Sequence, residues 1–220
     1  KKGDKKDEAI LKELQKLITE SKSIRFEGNG YGDEWVKEAK KRGLSNFKDT
    51  PRALDVMKSK GYVNLFEELN ILTKREIEAR HEVDLENYIM KLQIEARILG
   101  DMCQTHVIPS AIKYQNELIR NVSGLHEVLG SNGKKASKVQ VSLISEISDH
   151  VTFIKEHVDK MVDERKKANN LIDSEDKAIA YCDKVKPYFD EIRYHADKLE
   201  MIIDDEYWRL PKLRELLLTK

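Results

Sequence analysis

Proline and glycine are scarce in this sequence, at 4 and 10 of 220 residues. So few helix breakers exclude a loop-dominated or low-complexity chain. Cysteine is scarcer still, with Cys103 and Cys182 alone. Both fall in helical patterns, so they read as reduced thiols of a cytosolic protein, a disulfide being the lesser alternative. Net charge is missing too, because Lys+Arg and Asp+Glu are both 40. A duplex-binding protein carries a basic excess or a basic face, since phosphate neutralisation drives its affinity. No nucleic-acid partner is therefore expected. No apolar run approaches the ~20 residues that cross a bilayer, so no membrane is expected either. The opening Lys-Lys-Gly-Asp-Lys-Lys has no apolar stretch behind it and no initiator Met. It is not a signal peptide, and we expect a cytoplasmic chain that is a piece of a longer protein.

What remains is charge and aliphatic side chains. Charged residues make up 36% of the chain, the composition of long solvated helices. Ile10, Leu11, Leu14, Leu17 and Ile18 recur at helical spacing and predict a first helix from Asp7 to Ser21. Gly28-Asn29-Gly30-Tyr31-Gly32 follows, a tight connection where positive φ is expected. Asp33 is the expected N-cap of the next helix, and Thr50-Pro51 signals another start. This first part holds Trp35, Phe47, Tyr62 and Phe66 and reads as a small helical subdomain.

Thr73-Lys74-Arg75-Glu76 is a capping box that opens a long helix. One apolar row runs through Leu85, Ile89, Leu92, Ala96, Leu99, Cys103 and Val107. A second runs through Ile94, Ile98, Ile108, Ile112 and Ile119, so the helix is expected to be surrounded by others. Pro109 predicts a kink or a break. After a hinge at Ser131-Asn132-Gly133, Ile144, Ile147, Val151, Ile154, Val158 and Met161 alternate steps of three and four, a heptad seam. Ser174-Glu175-Asp176 caps a last long helix, with Pro187 bending it and Asp204-Asp205-Glu206 following its end. A short helix from Pro211 to Leu218 closes the chain. Three long helices joined by short turns must run up, down and up. The fold expected is all-α: a small helical part over residues 1–72, then a bundle of long antiparallel helices over 73–220. No strand pattern is convincing, Ile24-Arg25-Phe26 being at most a stub.

Chemistry is hard to find. The glycine loop leads into a helix start, but it follows a helix, lacks a Lys-Ser/Thr pair and is succeeded by acids, so it reads as a turn and not a phosphate cradle. Glu78 and His81 match half of a di-metal bundle motif, and no second copy exists, since Glu191 and His195 are four apart. His150 and His157, a heptad apart and ~10 Å along one helix, cannot chelate one ion. His106 lies beside the expected kink and is expected to be buried and hydrogen-bonded. Gln93, Glu95, Arg97, Asp101, Gln104 and Asn116 crowd the first long helix. The favoured reading pairs Arg97 with Asp101 inside the bundle, setting helix register. The alternative is a docking surface. No Ser/His/Asp or Cys/His nucleophile arrangement is present.

Five stretches together resemble one family: Ile24 to Trp35, Gln93 to Asp101, Val107 to Asn116, Val185 to His195 and Leu213 to Leu217. They resemble the C-terminal region of bacterial type III glutamine synthetases. The resemblance implies an enzyme that joins glutamate and ammonia using ATP and Mg or Mn ions. It implies ring-built oligomers acting in nitrogen assimilation. The metal-binding glutamates and the ATP- and glutamate-binding arginines of that family lie upstream of this region, and their motifs are absent here. No catalytic, cofactor-binding or metal-binding residue is carried over, and none is expected in this chain. Residues 1–72 would then be the end of the catalytic region or a connector. The implied partners are the upstream catalytic region of the same polypeptide and sister subunits, with a role in folding, assembly or regulation. The alternatives from other classes are a free-standing helical adaptor and a metal-dependent bundle enzyme.

Overall fold

A computed structural model describes residues 5–217. Among them every regular element is helical, as expected. The chain forms two compact units that divide between Lys48 and Asp49.

The first unit opens with α1, Lys6–Glu20, and a 3-10 turn, Ser21–Ile24. Its polypeptide then bends back into α2, Asp33–Lys41. Arg42 closes this small fold by donating to the Ser23 and Arg25 carbonyls, while Phe26 packs on Trp35 at 4.9 Å. The N-cap of α2 is Gly32, and Asp33 sits in the first turn instead. Gly28, Gly30 and Gly32 all have negative φ, contrary to expectation. Asn29 makes the bend: its side chain accepts from the Tyr31 N–H, and its carbonyl accepts from Gly32. No residue of α1 is buried, and Ile10, Leu11, Leu14, Leu17 and Ile18 are each about half exposed.

In the second unit, α3 (Thr50–Leu54) is capped by Asp49 and carries buried Pro51. A 3-10 turn over Asp55–Lys58 leads to α4, Lys60–Glu68. The Thr73 capping box forms as expected and starts α5, Lys74–Met102. Pro109 neither breaks the chain nor opens a gap. A π turn, Cys103–Val107, precedes it and hands the chain to α6, Ile108–Leu129. Gly130, at φ +56°, and a 3-10 turn replace the expected hinge. The four-residue α7, Gly133–Ala136, then leads into α8, Lys138–Asn169. Asp173 caps α9, Ser174–Ala180, and a second π turn, Tyr181–Val185, precedes Pro187 and α10, Pro187–Ile202. Both prolines therefore sit just past a turn whose bonds run from residue i to i−5, which leaves room for a residue that cannot donate. The terminal α11 covers Leu213–Leu216, and Leu218 lies outside the described residues.

The three long helices run antiparallel. Gln115 reaches Ile144 and Ser148, whereas Gly100 lies against Val158 and Met161, so numbers rise on α5–α6 as they fall on α8. The same inversion holds between α8 and α9–α10, where Asn169 meets Tyr181 and His150 meets His195. Ile147, Ile154, Val158 and Met161 of the heptad seam are buried, as are Val185, Phe189, Ile192 and Leu199 opposite. Each fully buried aliphatic side chain stabilises by roughly 1.5–3 kcal/mol. On α5 only one of the two apolar rows is covered. Leu85, Ile89, Leu92 and Ala96 face the core, whereas Ile94 and Ile98 are half exposed. The expectation that the helix is surrounded is corrected: a three-helix bundle leaves each helix an outer face, and α5 has kept its outer face apolar.

Candidate functional site

Three histidines converge where α8 crosses α10. His150 and His157 come from α8 and His195 from α10. The Nδ1 atoms of His150 and His195 are 2.7 Å apart, one donating to the other. Phe153 lies between the His157 and His195 rings, stacked on His157 at 3.6 Å and on His195 at 3.7 Å. His157 Nδ1 faces the Phe153 carbonyl at 2.9 Å, and its Nε2 is 3.6 Å from Glu191 Oε2. Glu146 stands 3.8 Å from His150 Nε2. Tyr194 meets His195 edge-on. Burial, then the nearby His150 and His157, push the His195 pKa below the usual imidazole value, while Glu191 opposes them. His150 and His157, a heptad apart on α8, meet different partners, His195 and the Phe153 ring. What spacing did not show is that His195 completes the group, or that Phe153 separates the rings.

A second concavity of about 770 Å³ lies between α4, α5 and the start of α9. Met57, Val63, Ile77 and Leu85 form its apolar side. His81 is buried there, its Nε2 3.6 Å from Asp55 Oδ1, and neither atom has a hydrogen-bond partner. Glu78 turns to Lys74 instead of to His81. Among the described residues no group of three or more His, Cys, Asp or Glu could hold a metal ion.

The polar row of α5 is corrected as well. Arg97 and Asp101 are both exposed, so they are not a pair shielded inside the bundle. They border an uncovered apolar face made by Met90, Ile94, Ile98 and Met102. His106 lies within the first π turn, and its buried Nδ1 finds no partner, so the expected hydrogen bond is absent. Cys103 and Cys182 are free thiols, and burial pushes the Cys103 pKa up to about 11. In the glycine loop, a Cβ on Gly28 would meet the Phe26 ring at 2.6 Å, so this glycine serves close packing.

Comparison with known proteins decides the family. Residues 9–126, more than half of the chain, match the model of the glutamine synthetase C-terminal domain. The chain belongs to this family. A glutamine synthetase of Bacteroides fragilis is 44% identical over 220 residues. A glutamine synthetase of Butyrivibrio fibrisolvens is 28% identical over 217 residues, and a type-3 glutamine synthetase of Dictyostelium discoideum is 31% identical over 214. The alignments take in 99, 99 and 96% of this chain but only 30, 31 and 29% of those relatives. The glutamine synthetase C-terminal domain match spans the first unit and the helices through most of α6. Two of the five resembling stretches, Val107 to Asn116 and Val185 to His195, run from the end of a π turn through its proline. Among the described residues no helix is long and apolar enough to cross a membrane.

Proposed function

We propose that this chain supports a glutamine synthetase, the ATP-dependent glutamate–ammonia ligase, as a cytoplasmic helical domain without catalytic residues of its own. The observation that carries this reading is the uncovered apolar face of α1, with five aliphatic side chains each about half exposed. An apolar face of this kind marks an interaction surface in a water-soluble chain. Its partner in this reading is the upstream catalytic region of the same polypeptide. The outer face of α5, through Ile94 and Ile98, meets a sister subunit of a ring-built oligomer. Residues 1–72 connect the two regions, and the bundle from residue 73 onward gives mechanical support. ATP and Mg or Mn ions bind in the catalytic region, since phosphoryl transfer needs positioned metals and cationic clamps.

Two measurements test it. The chain alone is expected to show no glutamine synthesis and no saturable Mg-ATP binding by calorimetry; a saturable isotherm overturns the reading. In the complete polypeptide, Leu14→Asp and Ile18→Asp are expected to separate the catalytic region from this domain in limited proteolysis. An unchanged proteolytic pattern and assembly state favour a free-standing adaptor instead.

A further inference from the structure

We propose that the His150–His195 pair is an acid-sensitive latch that closes the seam between α8 and α10. The pair is held by one N–H···N bond of 2.7 Å. Such a bond needs one nitrogen to donate and the other to accept. It forms when both rings are neutral, and when only one is charged. With both protonated, two donors face each other, no acceptor remains, and two positive charges stand side by side. The second proton therefore opens the latch.

The surroundings set the direction. On α8, Glu146 faces His150, and His157 stands one ring away beyond Phe153. On α10, Glu191 faces His157, and Tyr188 and Tyr194 lie edge-on to the rings. Lys198 covers the outer face of Tyr194 at 5.3 Å. From the π turn, Asp183 and Lys184 line the hollow beside His157, across from Lys160 and Glu164. Glu191 favours charge on His195, whereas burial and the two other imidazoles disfavour it more strongly. Near pH 6.5, where an unfolded chain would hold this imidazole half charged, the folded seam shifts His195 toward its neutral form. A group with a lowered folded pKa contributes stability that is complete above its unfolded value, near 6.5, and lost as pH falls through the folded value. Glu38, Glu76, Asp183 and Asp205 are all held below their ordinary values, which already lie below that of imidazole.

The test uses the full chain and its His195→Asn variant. Asparagine offers a hydrogen-bonding group near the place of Nδ1 and has no charge at any pH. The melting midpoint of the parent is expected to fall by several degrees between pH 7.5 and 5.5, and that of His195→Asn by less than half as much. In NMR titrations, His195 is expected to protonate below the usual imidazole range. Parallel melting curves for parent and variant overturn the latch. So does titration of His195 at the ordinary imidazole value. The NMR titration needs only the parent chain and decides the matter even if His195→Asn fails to fold.

Discussion

Arg52 grips Asp183 through two N–H···O bonds of 3.1 and 2.7 Å, tying α3 to the π turn ahead of Pro187. The same guanidinium reaches Asp49, the cap of α3, at 3.0 Å. The bonds from Arg52 hold the Asp183 carboxyl below its ordinary 3.8. The stability they contribute is therefore complete above pH ~4 and lost as pH falls through the lowered value. Both side chains are more than a third exposed, so water screens the pair. We expect Arg52→Ala to lower stability only slightly at neutral pH, since solvent-exposed pairs are screened by water. In chemical denaturation the difference between parent and variant is expected to shrink as pH falls through that lowered value.

The heptad seam supplies a larger effect. Ile147 and Ile154 are fully buried. Ile154→Asp is expected to destabilise by about 3–5 kcal/mol, because an unpaired carboxylate enters an apolar interior. Urea denaturation of the chain measures this, and an unchanged midpoint would place the seam in water.

The outer face of α5 separates stability from assembly. Arg97→Ala and Asp101→Ala are each expected to shift stability by no more than about 0.5 kcal/mol, as exposed positions do. Ile94→Asp and Ile98→Asp are likewise expected to leave melting nearly unchanged. In the complete polypeptide the two isoleucine variants should reduce the oligomer size seen by light scattering, and the two alanine variants should not.

Two glycines three residues apart predict different penalties for different reasons. A Cβ on Gly133 would lie 2.7 Å from the His126 Cα, against backbone that cannot swing away. Gly133→Ala is expected to cost about 1–3 kcal/mol through overpacking. Gly130 has open space around it but a φ of +56°. Gly130→Ala is expected to cost about 1–2 kcal/mol through backbone strain alone. A second-site change that shortens the His126 side chain should leave both penalties largely in place, because the Gly133 clash is with backbone.

The bundle was legible because α8 presents one seam to two neighbours, so its apolar steps of three and four mark real contacts. The same periodicity misled on α5. Ile94 and Ile98 have the spacing of core residues, and spacing records which residues share a face, not what covers it. The π turns were half legible. Pro109 and Pro187 announced an irregularity, but a backbone can answer proline by kinking, breaking or widening, and the choice depends on packing around Cys103, Val107, Tyr181 and Val185. The histidine group was legible only within α8. His195 arrives from 45 residues away, and its register against His150 is set by how α8 and α10 pack. Phe153 gave no signal of its own, although residues 153 and 157 are four apart and so share a face.

The two π turns also fix something in time. A widened turn is one residue too many for its length of helix, and such a surplus can creep along by trading one i to i−5 bond for the next. The bonds from Ile108 to Cys103 and from Lys186 to Tyr181 are the last that this series can offer. The residue that would take the next step is a proline in each case, and it has no N–H to give. Pro109 and Pro187 therefore block that step, so neither surplus residue can pass toward the C-terminus of its helix.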